Sequence, residues 1–455
     1  MENKSIELKS FSSIFWPTFI EVAFFMLMGT LDTIQISHYS DNAVAAINVS
    51  GQVIGLFGIL LAVSSIGVSV AVSQWLGNKK PDNALYAIGT GLILNTIIGL
   101  IISSALFFAA KALLTLINTD PVIIEDSIKY LKITAVSLFF VSISNIISAS
   151  LRAYGKAHYI TIVSVFANVF NFAGNYVLIY GKLGFPSLGV TGAAISTFIG
   201  RFLILAIYIV LLFVVIKMPL KSIRLHVQST RIILKIGVPA ALESFIYNVM
   251  NFVILGFVNS LGLNYTIARG YYGVLVPYFA CATSAFGSTN AVFVGYYVGK
   301  RDFKKAYERT MKTMLINSAV VTIFLLAVNI PAKHFLRLFT DNEEIITITR
   351  NALLVEFVLE FGRVLNTIFI QALRATGDPF IVLVYSFFSM LIVGIGMAYL
   401  FGIVFDLKLT GIYIGITIDE CLRGVLGFLR WHSHKWESKT KYLDNREGLV
   451  ETQAA

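Results

Sequence analysis

Apolar residues in this chain run in long continuous blocks separated by short polar breaks. Two of these blocks, Gly89 to Ala110 and Thr197 to Ile216, each reach the roughly 20 residues that a helix needs to cross a bilayer. Their continuity favours helices over a barrel, whose strands alternate over about 10 residues. On this pattern about twelve spans are predicted by the 20-residue rule. They fall near 14–38, 49–75, 85–110, 130–150, 158–180, 188–216, 236–260, 268–298, 311–330, 350–372, 380–403 and 409–431. The breaks carry turn-forming and charged residues. Examples are Gly77-Asn78-Lys79-Lys80-Pro81-Asp82, the basic stretches Lys217 to Lys235 and Lys300 to Lys312, and the polar tail after Trp431.

The pattern also repeats. Pro17 and Glu21 recur as Pro239 and Glu243, and Gly77 and Ala84 as Gly299 and Ala306. Leu116 recurs as Leu338, and Leu151, Arg152, Ala153 and Gly155 as Leu373, Arg374, Ala375 and Gly377. Every pair is 222 residues apart, and near the end the register slips by three, Thr191-Gly192 matching Thr410-Gly411. A constant offset over most of a half argues for duplication. Six spans per half give both halves the same sense in the membrane, a parallel repeat. The expected organisation is an N-terminal six-helix lobe (1–216), a cytoplasmic linker (217–235), a C-terminal six-helix lobe (236–432) and a cytoplasmic tail (433–455).

Composition agrees with a membrane protein. Of 455 residues 57% are hydrophobic and 13% charged, with mean hydropathy +0.79, whereas soluble domains are about a quarter charged. The net charge of +10 therefore needs no nucleic acid. The loops on the side of the two termini hold about 23 Lys and Arg against about 9 on the other side, which places both termini in the cytoplasm. Within that excess, Lys300, Arg301, Lys304, Lys305, Arg309 and Lys312 fit topology setting or anionic-lipid recognition. Met1 to Ser10 is polar, with no signal-peptide pattern. These features lead us to expect a multi-pass protein of a bacterial plasma membrane. Cys281 and Cys421 lie in apolar stretches and point to no disulfide framework or metal site.

Charge within the hydrocarbon costs about 2.5–3.5 kcal/mol on insertion scales and marks function by default. Glu21 and Asp32 share the first span, eleven residues or about three turns apart, near one face. Asp32 fits either an ion switch or a helix end at the outer surface; Glu21 fits either a cavity or the cytoplasmic interface. In span five Asn171 and Asn175 stand at i,i+4. Their amide oxygens fit either a hard cation such as Na⁺ or interhelical hydrogen bonds. Glu243 follows Pro239 in span seven, and span ten carries Glu356, Glu360 and Arg363. Glu360 and Arg363, at i,i+3, can pair within one helix and still line a cavity. Asp419, Glu420 and Arg423 repeat that spacing in span twelve, while nothing selects a role for Arg201. HExxH, GxSxG and Walker-type GxxxxGK[ST] motifs are absent. This argues against an enzyme and leaves an ion gradient as the energy source for transport.

These residues carry a family resemblance over nearly the whole chain. Pro17, Asp32 and Ala43 to Ala46, the turn after Gly77, "LRAYGKAHY" from Leu151 and "LRATGDPF" from Leu373 each contribute. The most specific match is "NVFNFAGNYVLIYGKLGFPSLGVTGAAIST", Asn168 to Thr197. Together they resemble the multidrug and toxic compound extrusion (MATE) transporters. The resemblance implies a V-shaped pair of six-helix bundles exporting cationic amphipathic compounds in exchange for Na⁺ or H⁺. It implies an ion-coupling site at Asp32, Asn171, Asn175 and Thr197, although relatives carry Asp where Asn175 stands. A substrate cavity or secondary coupling site is expected at Glu21, Glu243, Glu360 and Arg363. Glu243 lies about a turn before the family's usual span-seven acid, and Arg363 replaces the span-ten Asp of one branch. The expected partners are small organic cations and the bilayer, with no cofactor beyond the coupling ion and no obligatory protein partner. A flippase for lipid-linked saccharides, favoured by a more cationic cavity, is the rival reading; Arg201, Arg363 and Arg423 support it.

Overall fold

The structure, a computed structural model, describes residues 10–337 and 340–443. Among these, six long helices come first: α1 (Ser12–Ser37), α2 (Asp41–Gly77), α3 (Pro81–Leu116), α4 (Ile124–Ala153), α5 (Ala157–Tyr180) and α6 (Gly189–Val214). There follow α7 (Val227–Ser260), α8 (Leu263–Gly299), α9 (Phe303–Asn329), the short α10 (Ala332–Leu336) and α11 (Glu343–Ala375). The span 379–404 runs from α12 (Pro379–Phe388) through α13 (Ile395–Tyr399) with π-helical turns at Ser389–Gly394 and Leu400–Val404; α14 (Lys408–His432) completes the set. Among the described residues twelve helical spans result, each overlapping one predicted from hydropathy; most extend past it, while α6 falls short of 188–216 at both ends. Among the described residues nine helices are long and apolar enough to cross a membrane on length and composition alone. The others are α8, α11 and α14; the last two carry Glu356, Glu360 and Arg363, and Asp419, Glu420 and Arg423, inside their spans. Large apolar side chains such as Phe108 (83% exposed) and Phe252 (77%) point outward, as lipid contact requires and water would penalise.

The chain divides into two compact units, Met1–Val238 and Pro239–Ala455. In the first, Leu61, Leu106, Leu114 and Leu131 form a fully buried core between α2, α3 and α4. Asn95, also buried, donates to the Leu61 and Ser142 carbonyls (3.1 and 2.8 Å), tying α3 to both neighbours. Such polar contacts hold helices together where lipid leaves little hydrophobic drive. The stretch after α6 packs closely on this unit. A Cβ on Gly89 would lie 1.9 Å from the Ser222 carbonyl oxygen, so only glycine permits the approach. In the second unit Met250, Ile254, Leu353, Leu359 and Ile412 form the core. Asn342 caps α11 by accepting from the Glu344 and Ile345 amides. After α14, Trp436 is buried and stacks on Trp431 (4.4 Å between rings), folding the start of the tail onto this unit.

The duplication is visible in the backbone. Lys79 and Arg301, at the same repeat position, both take left-handed conformations (φ 56° and 61°). Gly155 and Gly377, another such pair, do likewise (φ 68° and 85°). The turns after α2 and α8, and after α4 and α11, are thus built alike.

Candidate functional site

Two polar cavities stand out, one in each unit. The first, of about 180 Å³, lies among α1, α2, α4, α5 and α6. Each helix offers one stripe to it: Gly29, Asp32, Thr33 and Ile36 from α1, Val44, Ile47 and Asn48 from α2, Asn175 and Ile179 from α5, Ala193 and Thr197 from α6. Asn175 Nδ2 donates to Asp32 Oδ1 (2.9 Å), while the buried Asn175 Oδ1 has no hydrogen-bond partner. Tyr130 of α4 completes the wall and is hydrogen-bonded to Thr197. The α1–α5 contact that sets this geometry is pinned at three points. Gln35 Nε2 donates to the Phe172 carbonyl (3.1 Å), the Tyr180 hydroxyl to the Gln35 carbonyl, and Thr161 Oγ1 to the Pro17 carbonyl (2.7 Å).

Three of the four residues expected at the ion-coupling site, Asp32, Asn175 and Thr197, therefore meet in one cavity. Asn171 does not join them. Its amide donates to Ser196 Oγ (3.1 Å), which returns a bond to the Asn171 carbonyl (2.8 Å), so this side chain ties α5 to α6. The i,i+4 spacing puts both asparagines on one face but does not say which neighbouring helix each meets. Arg201 donates to Ser137 Oγ (2.8 Å). Glu21 is held by Arg152 (2.7 Å).

The second cavity, of about 390 Å³, is lined by α7, α11 and α14. Glu243 and Tyr247 contribute from α7, Arg363, Asn366, Gln371 and Arg374 from α11, and Glu420 and Arg423 from α14. Glu243 pairs with Arg374, and Arg363 holds both Glu360 and Glu356 (3.2 Å to the latter). Arg423 binds Asp419 and Glu420 (2.6 and 2.8 Å). The π-helical turn at Ser389 brings that hydroxyl 2.6 Å from Asp419, a local distortion often found at functional sites. The expected Glu360–Arg363 pair forms, and Arg363 and Glu243 line the cavity. Glu360 lies behind the wall, fully buried. Tyr130 and Asn366 line these cavities without any sequence signal, and Tyr272 of α8 donates to Glu356 behind the second one, equally unsignalled. Arg374 had one: it and Glu243 both repeat the Glu21–Arg152 pair 222 residues on.

The MatE family model matches residues 17–177 and again 239–400, with starts 222 residues apart. The chain belongs to the MatE family. That makes it a transporter of the MATE family rather than an enzyme, and a multi-pass membrane protein. It is similar to the uncharacterized transporter YisQ of Bacillus subtilis (strain 168), with 34% identity over 436 residues, 95% of this chain and 96% of that protein. It is also similar to the probable multidrug resistance protein NorM of Thermotoga maritima, with 28% identity covering 91% of this chain and 90% of the relative. A solved structure of a multidrug resistance MATE family transporter in an outward-facing conformation has the same fold. Its TM-score is 0.87 at 21% identity, covering 96% of this chain and 99% of the other.

Proposed function

We propose that this MatE protein is a secondary antiporter that exports cationic amphipathic compounds in exchange for Na⁺ or H⁺, with Asp32 at the centre of the coupling site. The observation that carries the reading is the Asp32–Asn175 pair beside a buried amide oxygen without a partner. An aspartate carboxylate, an amide oxygen and the Thr197 hydroxyl are hard oxygen donors of the kind Na⁺ prefers, and the same carboxylate can take a proton instead. Compared with an Asp there, Asn175 removes one negative charge and one oxygen but keeps one amide oxygen free to coordinate. The relationship to multidrug resistance proteins supports compounds as cargo. The ion and the cargo must favour different conformations for exchange to be coupled. Both termini are assigned to the cytoplasm from the Lys and Arg distribution.

Arg363, Arg374 and Arg423 on the second cavity are the observation on the side of a lipid-linked saccharide flippase. Each is neutralised by a carboxylate, which removes the surplus positive charge that reading needs.

The test is efflux of a cationic fluorescent dye from proteoliposomes under an imposed Na⁺ gradient and then a pH gradient. One gradient drives efflux in the wild type, and Asp32→Asn abolishes it while membrane insertion stays normal. Normal coupled efflux in well-inserted Asp32→Asn removes Asp32 from the mechanism. No dye movement under either gradient turns the assignment toward lipid-linked substrates.

A further inference from the structure

The two units part company where α3 meets α4 and its repeat, α9, meets α11. In the first unit Asn95 of α3 donates to the Leu61 carbonyl of α2 and the Ser142 carbonyl of α4. Gly99, one turn on, lets α3 and α4 meet closely: a Cβ there would lie 2.2 Å from Ser142 Oγ. At the 222-residue offset Asn95, Gly99 and Ser142 become Asn317, Val321 and Val364. The asparagine is kept, but the small residues that allow close approach are not. A crevice of about 370 Å³ lies between α9 and α11 instead, within the range of about 300–1,000 Å³ usual for small-molecule sites.

Ser318, Val321 and Thr322 of α9 and Phe357, Phe361 and Val364 of α11 line it, and no charged side chain stands on its walls. Both stretches lie near the middle of their helices, and so near mid-bilayer depth. Thr322 and Phe361 are exposed, as are the neighbouring Ile323 and Phe324, so the crevice opens toward lipid. Phe361 is two residues from Arg363, roughly 200° around the helix. The crevice therefore lies on the other side of α11 from the polar 390 Å³ cavity.

Asn317 is fully buried, yet among the described residues neither its Nδ2 nor its Oδ1 finds a hydrogen-bond partner, and the buried Ser318 Oγ has none either. Folded proteins seldom leave such groups unmatched, and the bilayer core holds no water to supply the bond. Asn317 adjoins Ser318 and stands one turn before Val321, on the α9 stripe that forms the crevice wall. We propose that this crevice binds an uncharged lipophilic carbonyl compound entering from the bilayer. Its oxygen accepts from the Asn317 amide and the Ser318 hydroxyl, and its apolar body lies against Phe357 and Phe361. Depth and the uncharged walls exclude an ion. A bare acyl chain would fill the space but leave amide and hydroxyl unmatched, whereas a carbonyl satisfies both donors. Aromatic rings on the compound would add edge or offset stacking with the two phenylalanines.

Benzophenone, an uncharged diaryl ketone that attaches to nearby C–H bonds on illumination, tests the site on the full chain in nanodiscs. Photolabelling mapped by mass spectrometry should saturate and concentrate in 317–325 and 357–364. Asn317→Leu should need about fivefold more benzophenone for half-saturation, the worth of one hydrogen bond. Thr322→Trp, placed on the exposed rim, should abolish the saturable labelling by filling the mouth. Labelling that rises in proportion to concentration, or spreads over all lipid-facing spans, means partition into lipid alone and overturns the proposal. So does a half-saturation that Asn317→Leu leaves unchanged. If Asn317→Leu does not fold, Ser318→Ala decides, and unchanged half-saturation there overturns it equally. The readout needs neither an ion gradient nor transport. A protein that labels here but moves no dye keeps this site and refutes the antiport reading alone.

Discussion

Arg152 holds Glu21 and Arg374 holds Glu243, the two pairs sharing a separation of 131 residues and the 222-residue offset. They differ in burial: the side chains of the first are 20% and 22% exposed, those of the second 15% and 9%. Removing one partner of a buried pair costs about 3–5 kcal/mol because the other charge is stranded, while an exposed pair contributes about 0–1 kcal/mol. Arg374→Ala should therefore lower the melting temperature in detergent more than Arg152→Ala, and Glu243→Gln should recover part of the loss in the Arg374→Ala background. Equal, small losses in both single variants would show that neither pair stabilises its unit. At this scale the sequence was informative where partners lie on one helix, as with Glu360 and Arg363 or Glu420 and Arg423. It was silent where they lie on different helices. Tyr130, Tyr272 and Asn366 reach their sites only through interhelical packing, which hydropathy does not encode. Asn171 shows the same limit, facing Ser196 where Asn175 faces Asp32.

Helix positions follow from hydropathy because burial in lipid demands a continuous apolar run, and most helices extend past the prediction because hydrogen bonding continues beyond the hydrocarbon; α6 instead falls short of it. The sequence of the segment before α7 predicts a polar crossover, and its composition does not reveal how tightly it is held. Its carbonyl at Ser222 presses on Gly89, and the Arg224 guanidinium lies over the Tyr86 ring (4.6 Å). His226 stacks on Tyr86 (5.4 Å), its amide donates to Thr90 Oγ1 (3.1 Å), and its Nδ1 accepts from the Ser229 amide (3.3 Å) at the start of α7. Burial, and then the Arg224 charge, hold the His226 imidazole below its ordinary value of 6.5. A base held down in the folded state stabilises it fully above the unfolded value and loses that contribution as pH falls below it. Amide protection around 220–230, taken relative to the intrinsic exchange rate, should therefore fall as pH drops from about 7 toward 5, with His226→Gln flattening the response. An identical pH response in His226→Gln would place the titration elsewhere. Gly89→Ala should loosen the same segment at every pH, at a cost of about 1–3 kcal/mol for overpacking.

For the molecule as a whole, the repeat makes a geometric demand. With six spans in each unit, helices 222 residues apart must cross the membrane in the same direction, and their connecting turns must lie on one side. Asp82 and Lys304 are such a pair, both exposed, in the first turns of α3 and α9 just past the matched turns after α2 and α8. Lys182, exposed between α5 and α6, belongs to the opposite side. In a background with Cys281 and Cys421 replaced by Ala, Lys182→Cys should react with a membrane-impermeant thiol reagent added to intact cells. Asp82→Cys and Lys304→Cys should react only after permeabilisation. Labelling of all three with the pattern inverted would reverse the orientation while preserving the repeat. Opposite behaviour of Asp82→Cys and Lys304→Cys would be more serious, since an odd number of crossings between them contradicts a parallel duplication. The positive-inside argument and the duplication are thus tested separately by the same three cysteines, because one concerns which side the turns face and the other whether they face it together.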